Sequence, residues 1–172
     1  WTYPGPHVQA FLTDVLRTIV NAEQGDIAVE GQLVSYAVYD DAGASESLAV
    51  VYVANMSLYG QPQIPTVIAH GERAPLWVDA YGMRVAWIGP KLLVSPRDNM
   101  VRVDDMNTQG SICEVQLTAK PGRHQLQLEA LGSRITEVHL DDKLLRLKPG
   151  QDGSRHVSAV LTGAHRLCVA LT

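Results

Sequence analysis

From Gly31 to the last residue, apolar side chains recur at every second position or in brief runs, and each run stops at Gly, Pro, Asn or Asp. A period of two belongs to extended backbone, whose successive side chains point to opposite faces. Strands are therefore expected over 33–39, 48–54, 66–70, 76–79, 84–88, 91–94, 100–103, 112–119, 124–131, 134–140, 143–147, 156–161 and 165–171. Between them stand Asp40-Asp41-Ala42-Gly43, Gln61-Pro62-Gln63, Gly89-Pro90, Ser95-Pro96-Arg97-Asp98, Lys120-Pro121-Gly122, Asp141-Asp142 and Pro149-Gly150-Gln151-Asp152-Gly153. These are turn residues. Short strands joined in this way predict a mainly β fold, an antiparallel β-sandwich. Around Lys120, Gln116 and Thr118 alternate with Leu117 and Ala119, and Gln125 and Gln127 then alternate with Leu126 and Leu128. With Lys120-Pro121-Gly122 between them, the two halves predict a hairpin with one wet and one dry face.

The chain before Gly31 has a different rhythm. Val8, Phe11, Leu12, Val15, Leu16, Ile19 and Val20 follow the spacing of a one-sided helix over 7–23, with Pro6 suited to its first turn and Gly25 to its end. Such a helix needs an apolar partner, either this chain's own sheet or a neighbouring domain. The 172 residues show no internal repeat and no low-complexity linker, so residues 1–172 are read as a single β-sandwich domain. A chain of this size can bury a core without help from metals or disulfides.

The charges exclude some classes of partner. Fourteen basic against 18 acidic residues give a net charge of -4, and the ten Arg and four Lys are scattered singly. Nucleic-acid binding is disfavoured, because a phosphate-binding surface needs clustered cations. No apolar run approaches the ~18 residues of a helical membrane span, so no membrane partner is expected. The chain opens Trp1-Thr2-Tyr3-Pro4 without an initiator Met or an apolar leader, which reads as a processed chain or an excised part.

Chemistry-bearing motifs are scarce. The acidic pairs Asp40-Asp41, Asp104-Asp105 and Asp141-Asp142 are assigned to turns, since neighbouring side chains on extended backbone point apart. The histidines, at positions 7, 70, 124, 139, 156 and 165, form neither H-x-H nor H-x-x-x-H, so no metal is expected. There is no nucleophile elbow and no phosphate-binding loop, and no cofactor is expected. Cys113 and Cys168 match no metal spacing and are either one disulfide or two buried thiols. Trp77, Tyr81 and Trp87 lie close in sequence and are candidates for a carbohydrate-binding platform, against the alternative of core packing. Asn55-Met56-Ser57 makes Asn55 a candidate N-glycosylation site. The other role for Asn55 is to close a strand end by bonding backbone groups.

The order PHVQAFLTDVLRTIV, LVSYAVYDDAGASESLAVVYVANMSLYG and RVAWIGPKLL resembles the C-terminal part of glycoside hydrolases of family 79, the β-glucuronidase and heparanase group. In that family a last barrel helix precedes a β-sandwich. The strand motifs of the family match Ser35, Tyr36, Ala37, Val38 and Tyr39, then Leu48, Ala49, Val51, Asn55 and Tyr59. Past Pro90 only the strand rhythm and the closing HRLCVALT correspond.

The resemblance implies a non-catalytic accessory domain of a carbohydrate-active enzyme acting on uronic-acid-containing glycans. Its partner would be the catalytic (β/α)8 barrel of the same parent protein, and its place the extracellular space or the secretory pathway. The family's two catalytic glutamates lie on that barrel. None of Glu23, Glu30, Glu46, Glu72, Glu114, Glu129 or Glu137 sits in a barrel-strand context, so no catalytic residue is assigned. The alternatives are a free-standing β-sandwich that binds carbohydrate or protein, and an enzyme whose site is assembled from distant residues.

Overall fold

The structure, a computed structural model, describes residues 27–40, 48–150 and 153–172. The helix expected over 7–23 lies outside them. The described residues are mainly β, with antiparallel pairing and no helix. The strands are β1 (Ile27–Glu30), β2 (Val34–Asp40), β3 (Ala49–Asn55), β4 (Thr66–Ala69), β5 (Glu72–Pro75), β6 (Met83–Ile88) and β7 (Leu92–Pro96). They continue with β8 (Val101–Gln109), β9 (Ile112–Ala130), β10 (Ile135–Leu140), β11 (Lys143–Leu144), β12 (Lys148–Pro149) and β13 (Arg155–Leu171). One sheet has the order β1-β4-β5, and a ten-stranded sheet runs β11-β10-β13-β9-β7-β6-β3-β2, with β12 beside β13 and β8 beside β9.

The two sheets enclose two apolar cores. The small sheet lies sandwich-like over β3 and β6, burying Ile27, Val29, Val67, Ala69 and Ala74 against Val51, Val53, Ala86 and Ile88. The second core forms where the large sheet curls on itself, joining Val101, Val103, Val115, Leu117, Leu128, Val138, Leu161 and Val169. Strand β7 serves both, since Leu93 belongs to the first core and Leu92 and Val94 to the second. That follows from the two-residue alternation of a strand with an apolar layer on each side.

Several expectations need correction. Segments 112–119 and 124–131 are not the arms of a hairpin: β9 runs through Lys120-Pro121-Gly122 as a single 19-residue strand. Segments 156–161 and 165–171 likewise merge into the 17-residue β13, which pairs with β9 along its length. Leu161 pairs with Gly122 and Gly163 with Ala119, so Lys120 and Pro121 together face Thr162, a bulge with one extra residue on β9. A bulge is where a strand tolerates a residue without a backbone N–H. The extra residue also reverses the alternation. Cys113, Val115, Leu117 and Ala119 point inward before it, Leu126 and Leu128 after it. Asp104-Asp105 is not a turn either, since both lie within β8 at a register shift between Val103 and Asp105.

The segment 76–79 is not a ladder strand; only Val78 bridges, to Gln63. The strand is instead β5, reached from β4 through His70-Gly71, both at positive φ, the pattern of a two-residue hairpin turn. Its Glu72 and Arg73 are exposed, which hid it among polar residues. Strand β2 pairs with β3 in the expected way, Tyr36 opposite Val53 and Val38 opposite Val51. No helix among the described residues is long and apolar enough to cross a membrane.

Candidate functional site

Between the two cores opens a cleft of about 360 Å³, lined by Trp77, Arg84, Ser95 and Arg97 on one side and by Gln125, Gln127, Lys148, Pro149, Gly150 and His156 on the other. Its floor is built on a buried cation. Arg84 has the inward parity of Ala86 and Ile88, and its side chain is only 6 % exposed. Its guanidinium donates from Nε to the Trp77 carbonyl at 3.0 Å, from Nη1 to the Pro96 carbonyl at 3.0 Å and from Nη2 to Asp79 Oδ2 at 2.9 Å. Desolvation by burial lowers its pKa, while the Asp79 carboxylate acts in the other direction. A buried charge survives only when it is paired and its protons are used, as they are here. Asp79 also accepts from Trp77 Nε1 at 2.9 Å, which fixes the indole, and has Arg97 Nη2 at 3.6 Å.

The opposite wall comes from β9, β12 and β13. Gln127 donates to the Pro75 carbonyl at 2.7 Å and to Glu129 Oε1 at 3.0 Å, and accepts from Trp77 N at 3.3 Å. Glu129 Oε1 also accepts from Arg155 N at 2.9 Å. Gln127 and Glu129 are buried, so β9 is covered on both faces from Leu126 to Glu129. Arg97 binds Gln125 twice, through its backbone N at 2.8 Å and through Nη1 to Oε1 at 3.0 Å. Lys148 faces His156 across the β12–β13 ladder, and His156 Nε2 lies 2.6 Å from Ser154 Oγ. Ser95 donates to the Val85 carbonyl at 2.7 Å and belongs to the frame.

The three aromatic residues singled out in the sequence have separate surroundings. Trp77 lines the cleft. Trp87 packs, partly buried, on the core of the curled sheet. Tyr81 is 71 % exposed and covers the loop before β4. Its Oη donates to the Leu58 carbonyl at 3.2 Å, and its ring lies so close that a Cβ on Gly60, at φ +66, would come within 2.7 Å.

Asn55 ends β3 and is 7 % exposed. Its Nδ2 donates to the Gln61 carbonyl at 2.7 Å and the Asp79 carbonyl at 3.1 Å, and its Oδ1 accepts from Ser57 N at 2.9 Å. The nitrogen that a glycan would occupy is thus engaged with both protons. The Cys113–Cys168 disulfide is not formed; both cysteines are free. Cys113 lies opposite Val169 on the core face, while Cys168 lies opposite the exposed Glu114 on the other face. Burial raises the pKa of both thiols, offset at Cys113 by a hydrogen bond with Thr108.

Sequence reasoning missed Arg84, Arg97, Gln125, Gln127, Lys148 and His156 as a group, because they come from segments far apart. One signal was present. An Arg at the parity of Ala86 and Ile88 has to find a carboxylate and carbonyls, and the segment just upstream holds Asp79. Among the described residues no group of three His, Cys, Asp or Glu is placed to hold a metal ion. Compared with known proteins, the chain matches no family model, no curated protein and no solved structure.

Proposed function

We propose that this chain is a non-catalytic accessory domain of a carbohydrate-active enzyme, a glycoside hydrolase acting on uronic-acid-containing glycans, and that it supports the fold of the catalytic barrel. The observation that carries the reading is a sheet apolar on both faces. Residues 49, 51 and 53 of β3 and 86 and 88 of β6 face the first core. On the reverse face, the ladder sets Ala37, Tyr52 and Val85 in one row and Ser35, Ala54 and Met83 in a second. Tyr52 is 37 % exposed and Met83 56 %.

An antiparallel sheet usually keeps one face polar toward water, and an apolar second face calls for another layer. Contiguous exposed apolar surface of this kind marks a contact with another protein or domain. The strands concerned are the ones that carry the resemblance to family 79, and in that family the neighbour is the catalytic barrel. The parent gene supplies the first test. About three hundred residues of alternating strands and helices upstream of Trp1, with two glutamates at strand ends, are expected. A start codon just before Trp1 would overturn the reading. In the parent protein, Val85→Glu should lower hydrolysis of a uronic-acid glycan by about tenfold or more through loss of the domain contact. Unchanged activity would count against the barrel as the covering layer.

A further inference from the structure

We propose that the cleft between the two cores is a binding site for a small acidic sugar, a hydroxylated ring bearing one anionic group, held against Trp77 with its charge between Arg97 and Lys148. The inference stands on the cleft lining alone and uses neither the apolar outer face nor the barrel.

Charge is the first reason. The chain carries a net charge of -4, yet among the described residues the cleft is lined by three permanent cations and no carboxylate. The carboxylates of Asp79 and Glu129, which bond to lining residues, are already committed. Asp79 is held by Arg84 and by the Trp77 indole, and Glu129 accepts from Gln127 and Arg155 N. Arg84 is consumed by its three frame bonds. Arg97 stands farther from Asp79, at 3.6 Å, and remains half exposed. The side chain of Lys148, exposed on β12, makes no hydrogen bond or ion pair with any described residue. Two cations thus border the cleft with charge to spare.

The second reason is the kind of surface set between those cations. The indole of Trp77 is fixed by Asp79, so a ring stacked on it finds a preorganised apolar face. Gln125 presents an amide at the side, while Gln127 and Ser95 have their protons engaged and act as frame. An aromatic face beside hydrogen-bonding groups suits a ring that is apolar on its flat side and hydroxylated on its edge. The volume lies at the small end of the ~300–1,000 Å³ range of ligand sites, which favours one or two sugar units over a long chain.

The test follows the Trp77 indole N–H signal of the full chain, identified by its loss in Trp77→Phe, during titration with D-glucuronate, glucose 6-sulfate and D-glucose. The acidic sugars should shift it at concentrations at least about tenfold lower than glucose, and added salt should weaken them. The stronger of the two acids then distinguishes a carboxylate ligand from a sulfated one. Lys148→Ala and Arg97→Gln should each weaken the acidic sugars by about fivefold or more while leaving glucose unchanged. Three results would overturn the proposal: equal response to glucose and glucuronate, displacement of glucuronate by equimolar inorganic sulfate, or a Trp77 signal that does not move at tens of millimolar sugar. Because the assay needs no catalytic domain, its failure leaves the accessory reading standing, and the converse holds as well.

Discussion

Asn55 shows how a single amide can hold three separate segments. With two carbonyls bonded to Nδ2 and one backbone N–H to Oδ1, it fastens the end of β3 to the following loop and to the turn that carries Asp79. Asn55→Ala strands all three partners next to a buried site and should destabilise the protein by about 2–4 kcal/mol, read from urea denaturation. The same geometry predicts that Asn55 passes through a secretory host without a glycan, so that peptide mass spectrometry finds it unmodified. A glycosylated Asn55 in folded protein would contradict the placement. The triplet was visible in the sequence, but the engagement of Nδ2 was not, because Gln61 and Asp79 become its neighbours only through folding. Arg84 is the opposite case, its need for partners being legible from parity alone.

At the scale of elements, the bulge in β9 is the main lesson. The sequence shows a reversal of alternation across Lys120-Pro121-Gly122, and a turn or one extra residue would produce the same reversal. Pairing with β13 decides between them, and that partner is about forty residues downstream. Strands β2, β3 and β6 were legible as largely apolar segments rich in β-branched and aromatic residues, whereas β5 was not, its two polar residues interrupting the pattern. The bulge is pinned by His124, buried, with Nδ1 3.0 Å from Asp98 Oδ2 and Nε2 2.8 Å from the Lys120 carbonyl. Asp98 also accepts from Met100 N. Two acceptors call for a proton on each ring nitrogen. Desolvation pulls the pKa of His124 down, but the Asp98 hydrogen bond, the Lys120 carbonyl and the Asp98 charge together raise it above 6.5. A raised histidine stabilises the fold fully below the unfolded value of about 6.5 and loses that contribution as pH climbs through the folded value. Unfolding free energy should therefore fall as pH rises above about 6.5, and Asp98→Asn should flatten that slope. A slope unchanged by Asp98→Asn would show that His124 is not its source.

For the whole molecule, the decisive arrangement is one large sheet passing through two cores. Leu93 in the first and Leu128 in the second are both fully buried, and either substitution to Ala should cost about 2–5 kcal/mol. Because β7 is a wall of both, each variant should shift one common unfolding transition, with circular dichroism and tryptophan fluorescence coincident. Two separated transitions would mean that the cores melt independently. The sequence predicted a sandwich, and the packing of β1, β4 and β5 over β3 and β6 agrees with that. The curled half was hidden, since an alternating pattern fixes which face is dry but not what covers it. The shared wall also sets how the molecule can be re-engineered. Cutting the chain at Gly89-Pro90 would give one fragment the first core without Leu93 and the other the second core with Leu93 exposed. New termini or inserted peptides belong instead at hairpin tips such as Gly71 and Gly110, where a Cβ would meet nothing within 4 Å.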